Sequence, residues 1–135
     1  MKHLLDASAL LLLIKKSTVK STIQLLKDSA ILDLAFYEIG NAIWKETTLK
    51  YLTEEGAEKL APLAQIVLTR MNRVTGTAED FPAILQIAQT EKLTYYDSSY
   101  IHFAKKSATT LVTEDKELAS KATKYVDVLK TADLS

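Results

Sequence analysis

An acid set where a short apolar strand gives way to an apolar helix constrains this chain more than any other feature. Residues 2–14 read Lys-His-Leu-Leu-Asp-Ala-Ser-Ala-Leu-Leu-Leu-Leu-Ile. The pattern predicts a buried strand over His3–Leu5 that ends at Asp6, then a helix that begins near Ala9 with Ser8 as its cap. A carboxylate at the mouth of a buried strand is costly unless it has a partner or opens on a crevice. In open α/β sheets, the crevice beyond the strand carboxyl ends is where ligands bind.

The totals narrow the classes. With 135 residues the chain is expected to form one domain over 1–135, burying roughly 65–70% of its unfolded surface. Cysteine is absent, which excludes disulfides and thiolate metal sites. Lys+Arg and Asp+Glu are both 17, so no broad basic footprint for nucleic acid follows from composition. The longest apolar run, Ala7–Ile14 broken by Ser8, falls far short of the ~20 residues of a membrane span. Asp6 interrupts its approach, and no small-residue cleavage site follows. The chain is therefore expected to be soluble and cytoplasmic, with no membrane partner.

Further elements alternate. Lys15–Thr18 reads as a polar turn and Val19–Leu26 as a helix, with Val19, Ile23 and Leu26 at helical spacing. Ala30–Leu34 is a second strand. Phe36–Tyr51 is a helix with Ile39, Ala42 and Ile43 on one face and Glu38, Asn41 and Lys45 on another. Thr53–Asn72 is helical, with a kink or break expected at Pro62. Val74–Gly76 is a turn or short strand. Asp80 is expected to cap a helix over Phe81–Gln89, with Pro82 in its first turn. A helix runs from Asp97 to Lys106, a strand over Thr109–Thr113, a short helix over Glu114–Lys121 and a last strand over Tyr125–Leu129. This order predicts an α/β fold in three layers: a mostly parallel sheet of about four to five strands with helices on both faces.

Four acids recur at similar places. Asp6 and Asp115 follow apolar strands, whereas Asp97 and Glu38 open helices. Taken singly, each has a plain structural reading as a cap or first-turn acid. Taken together, a parallel sheet brings them to one edge. Two carboxylates ~5 Å apart repel by roughly 3 kcal/mol at an effective dielectric of ~20. Several such pairs would strain a domain whose whole stability is ~5–15 kcal/mol. Lys116 is the one cation beside these acids in sequence, so a divalent ion is the economical counter-charge. All-oxygen ligands favour Mg²⁺ or Mn²⁺ over zinc.

The motifs Asp6-Ala-Ser8, Glu38-Ile-Gly-Asn41-Ala42, Tyr96-Asp97-Ser-Ser-Tyr100 with Ala104, and Leu111-Val-Thr113-Glu-Asp115 resemble those of the PIN-domain ribonucleases, the VapC-like toxins of toxin–antitoxin pairs in particular. The likeness spans nearly the whole chain, in the family's order and spacing. It implies a three-layer PIN-like fold with Asp6, Glu38, Asp97 and Asp115 as catalytic, metal-binding acids. Ser8, Asn41 and Thr113 match the supporting polar positions, and Glu114 or Glu117 could share the role of Asp115. The resemblance further implies an endoribonuclease dependent on Mg²⁺ or Mn²⁺, neutralised by a small antitoxin and forming a homodimer.

Metal-assisted hydrolysis fits the residue types, since a metal-free nuclease would want paired histidines. The two present, His3 and His102, are poorly placed beside Asp6 and Asp97 and read as structural. Asn41, three residues after Glu38, is the expected partner of that carboxylate. Lys15, Lys16, Lys45 and Lys105-Lys106 are candidates for RNA phosphates, with Tyr96 or Tyr100 for stacking. Trp44, Leu49 and Tyr51, with the stripe Leu60–Met71, suggest a face for a partner, although the stripe reads first as core. The alternative readings are a PIN-like RNA- or protein-binding module without activity and a metal-dependent phosphatase. A dehalogenase-type phosphatase would need a second acid at position 8, where serine stands.

Overall fold

A computed structural model describes residues 1–16 and 18–134, so of the expected polar turn Ser17 lies outside the described residues. Five strands form one sheet: β1 (His3–Leu5), β2 (Ser29–Leu32), β3 (Asn72–Val74), β4 (Thr110–Val112) and β5 (Val128–Leu129). Their order is β3-β2-β1-β4-β5 and every pairing is parallel. β1 lies at the centre, with Leu5 opposite Ile31 on one side and Val112 on the other. The chain builds outward from β1 through β2 and β3, then restarts on its other flank with β4 and β5. That reversal makes the carboxyl end of β1 the point where crevices open in parallel sheets.

Side chains alternate across the sheet as the pleat requires. Leu5, Ile31 and Val112 face a layer made by α1 (Ala7–Lys16), α2 (Val19–Leu25), α3 (Leu34–Thr48) and α4 (Glu54–Arg70). Leu4, Ala30, Leu32 and Leu111 face α5 (Phe81–Glu91), α6 (Tyr95–Lys106) and α7 (Lys116–Ala122). The three-layer parallel architecture expected from the alternation of elements is the one observed. The strands are two to four residues long, so ladder hydrogen bonds at about 1 kcal/mol net each hold little. Full burial of Leu4, Leu5, Ile31 and Leu111, worth about 1.5–3 kcal/mol per side chain, does most of the holding. The stripe Leu60, Leu63, Val67 and Met71 packs into the first of these layers.

The helix starts differ from expectation. α1 begins at Ala7, because Asp6 rather than Ser8 is its cap: Asp6 Oδ1 accepts from the Ala9 amide at 2.9 Å. α3 begins at Leu34 with Asp33 capping it, which puts Glu38 in the second turn rather than the first. α4 runs unbroken through Pro62. Pro62 and Glu58, whose carbonyl loses its amide partner, are both exposed, so water can serve that carbonyl. Asp80 precedes α5 without capping it through its side chain. Its buried carboxylate instead accepts from the Thr77 amide at 2.9 Å, Lys106 Nζ at 2.8 Å and His102 Nε2 at 2.9 Å. These bonds hold the Asp80 carboxyl below the usual carboxylate range, Lys106 first and then His102. His102 is thus structural, tying α6 to the start of α5.

Candidate active site

The carboxyl ends of β1 and β4 lie side by side, joined by the Asp6 amide donating to the Val112 carbonyl at 3.1 Å. Asp6 leaves β1 and Thr113 leaves β4 at this edge. The Thr113 hydroxyl donates to Asp6 Oδ2. Ser8 Oγ donates to Asp6 Oδ1 at 2.7 Å. Asp6 is 5% exposed and Thr113 1%, so a buried carboxylate is held by two hydroxyls and the Ala9 amide. Burial pushes the Asp6 carboxyl up; the bonds from Ser8, Thr113 and Ala9 oppose it, and the charge of Asp115 adds to it, leaving it above its ordinary value.

The two hydroxyls also order the loop that carries Asp115. Ser8 Oγ accepts from the Glu114 amide at 3.1 Å, and Thr113 Oγ1 accepts from the Asp115 amide at 3.0 Å. Asp115 then caps α7 through the Leu118 amide at 2.9 Å. Glu114 turns away, its Oε2 accepting from the Thr131 amide at 2.8 Å and its hydroxyl at 2.7 Å. Glu117 keeps to the cluster: its charge raises Asp97, although Lys121 also pairs with it at 2.9 Å. Thr113→Val keeps the shape of the side chain and strips Asp6 Oδ2 and the Asp115 amide of their partner. It is expected to lower stability by about 1–3 kcal/mol in urea denaturation.

Asp97 lies in the first turn of α6, but Thr94 is the cap, its Oγ1 accepting from the Asp97 amide at 3.0 Å. The Asp97 carboxylate is thereby left facing the other acids. Burial first, then the charges of Asp115, Asp6 and Glu117, push its carboxyl up to about 6. Glu38 is raised too, by burial and then by Asp97 and Asp6, against the hydrogen bond it accepts from Tyr100. Asp6, Glu38, Asp97 and Asp115 therefore feel one another's charge. Among the described residues none of the four stands in an ion pair. Nor do any three acid or imidazole groups among the described residues close tightly enough on one point to grip an ion as they stand. The acids share an open neighbourhood rather than a closed cage.

Two expected assignments change. Asn41 is exposed and lies along the α3 groove, and the hydrogen bond to Glu38 comes from the Tyr100 hydroxyl at 2.6 Å. Tyr100 is 1% exposed and so is closed to base stacking. The signal for its real contact was present: Tyr100 follows Asp97 by three residues, which puts both on one helix face. Of the remaining RNA candidates, Lys15 pairs with Glu46 at 2.6 Å and Lys16 is exposed. Lys45, with Tyr37, Glu38, Asn41 and the exposed Tyr96, lines a cavity of about 620 Å³.

A family model described as the PIN domain matches residues 3–124. The chain belongs to the PIN-domain family. It is 35% identical to the exonuclease VapC9 of Pyrobaculum aerophilum over 94% of this chain and 90% of that protein. It is 28% identical to the ribonuclease VapC3 of the same organism, over 90% of this chain and 95% of the relative. The crystal structure of PAE2754 from Pyrobaculum aerophilum superposes with a TM-score of 0.79 at 31% identity, covering 98% of this chain and 92% of that one. These likenesses make this a VapC-like PIN domain, in accord with the motifs around Asp6, Glu38, Asp97 and Asp115. No described helix is long and apolar enough to cross a membrane.

Proposed function

We propose that this protein is a divalent-metal-dependent endoribonuclease, the toxin of a toxin–antitoxin pair. The observation that carries the reading is a set of mutually repelling carboxylates, three of them (Asp6, Glu38 and Asp97) raised in part by the charge of neighbouring acids, with no cation paired to any of them among the described residues. The donor set fits a hard divalent ion: it is all oxygen, and Asp97 offers a carboxylate not spent on capping. The open arrangement suits Mg²⁺, which is held by one or two carboxylates and keeps several waters rather than sitting in an all-protein cage. Asp6, Glu38, Asp97 and Asp115 would hold the ion, directly or through its waters; when bound, it would lower the pKa of water and offset charge on a phosphodiester.

The chain's own groups then divide the work. Ser8, Thr113 and the Ala9 amide keep Asp6 fixed in one orientation. Asp97, its carboxyl pushed up to about 6 by burial and by the charges of Asp115, Asp6 and Glu117, is an acid whose crowded charge a bound cation would offset. Lys45 and Tyr96, beside Glu38 in the adjoining cavity, are placed for a phosphate and an unpaired base. An uncompensated acid cluster is also what a small antitoxin could fill with a basic side chain. The exposed Trp44, Leu49 and Tyr51 offer apolar surface for a second copy of the chain.

The names of the relatives divide between exonuclease and ribonuclease, so the test must separate an internal cut from an end-on one. Circular single-stranded RNA incubated with the protein and Mn²⁺ is expected to be opened, EDTA to stop the reaction, and Asp6→Asn to be inactive. Loss of linear RNA with circles left intact would reassign the activity to the exonuclease class. Equal cutting by wild type and Asp6→Asn would mean a contaminant and end the proposal.

A further inference from the structure

Tyr100 is a buried aromatic of α6 whose polar end reaches the acids. Its ring packs in the layer of Leu4, Leu32 and Leu111, and its hydroxyl reaches across to α3, donating to Glu38 Oε1 at 2.6 Å. A phenol so deeply placed needs a partner, and a half-buried glutamate has three side-chain torsions to restrain. Each group meets the need of the other.

We propose that Tyr100 is a positioning residue: its hydroxyl takes one oxygen of Glu38 and leaves the other to face Asp97 and Asp6, so that Glu38 presents one oriented oxygen to a divalent ion. The contact spans 62 residues of sequence and joins the two helices that carry Glu38 and Asp97. One bond therefore sets both the rotamer of Glu38 and its distance from the acid across the site. A ligating carboxylate without such support typically loses 10–100-fold in metal affinity or activity. This inference rests on the metal-dependent reading above.

The test is Tyr100→Phe, which keeps the buried ring and removes the hydroxyl alone. Calorimetric titration with Mn²⁺ is expected to show affinity lowered by about tenfold or more, with circular dichroism unchanged. In a Glu38→Ala background, Tyr100→Phe should change Mn²⁺ affinity by less than about twofold, because the group it orients is gone. Undiminished Mn²⁺ binding by Tyr100→Phe, with wild type binding normally, would overturn the positioning role and leave the metal reading standing. So would an equal loss in both backgrounds, which marks a general structural effect. Wild-type protein that takes up no Mn²⁺ would overturn both.

Discussion

Asp97→Asn is expected to make the metal-free protein more stable while reducing RNA cleavage by about a thousandfold or more. The carboxylate caps nothing, since Thr94 serves the helix end, so its removal leaves no backbone amide bare. What it does remove is a charge held against Asp115, Asp6 and Glu117 in a half-buried place. The carboxyl rises from 3.8 to about 6 on folding; discounted for solvent screening, relief of that strain is on the order of 1 kcal/mol. For a chain of this size the melting temperature should rise by about 3–5 °C. The pH dependence has a definite sign. Between about 6 and 3.8 the folded protein keeps a proton that the unfolded chain releases, so this group favours folding increasingly as pH falls through that window and penalises it fully above. Wild type in chelator should therefore gain stability from pH 7 toward pH 4.5 more than Asp97→Asn does. A lower melting temperature for the variant in metal-free buffer would sink the account, because it would mean the carboxylate supports the helix after all.

Asp6→Ala is expected to destabilise by about 2–4 kcal/mol and to abolish cleavage. Alanine removes the cap of α1, worth about 0.5–2 kcal/mol. It also leaves the buried Thr113 hydroxyl and the Ser8 hydroxyl without their acceptor, at about 1–3 kcal/mol for a buried orphan. Asp6→Asn should separate the two effects. Its carbonyl oxygen can still accept from the Ala9 amide and Ser8, and it discards a carboxylate that burial has raised. Activity should vanish in both variants, whereas urea denaturation should show a large loss for alanine and a small one for asparagine. Equal stability losses would show that the charge of Asp6, not its hydrogen-bonding shape, holds the strand edge.

The features legible in the sequence were those written in local spacing. An apolar run that stops at Asp6 gave both β1 and the acid at its mouth; helical spacing put Glu38, Asn41 and Lys45 along one groove. Structure departs from local spacing wherever two local readings are equally good and a distant residue chooses between them. Asp6 and Ser8 are comparable caps, and Thr113, 107 residues away at the end of β4, turns the contest toward Asp6. Asp80 sits correctly to cap α5, yet Lys106 and His102 draw its carboxylate elsewhere. Asn41 has the right spacing to serve Glu38, but a tyrosine on another helix holds that place. Pro62 lowers local propensity without deciding the outcome, because the packing of Ala64, Val67 and Leu68 carries the helix past it.

The placement of the first strand at the centre of the sheet has a consequence for the timing of activity during synthesis. β1 leaves the ribosome early, but the neighbour that completes its edge is β4, and the hydroxyl that fixes Asp6 comes directly after β4. A nascent chain that has not yet delivered Thr113 and Asp115 lacks the hydroxyl that fixes Asp6 and one of the four acids. The site of such a nuclease is incomplete until most of its length has been made.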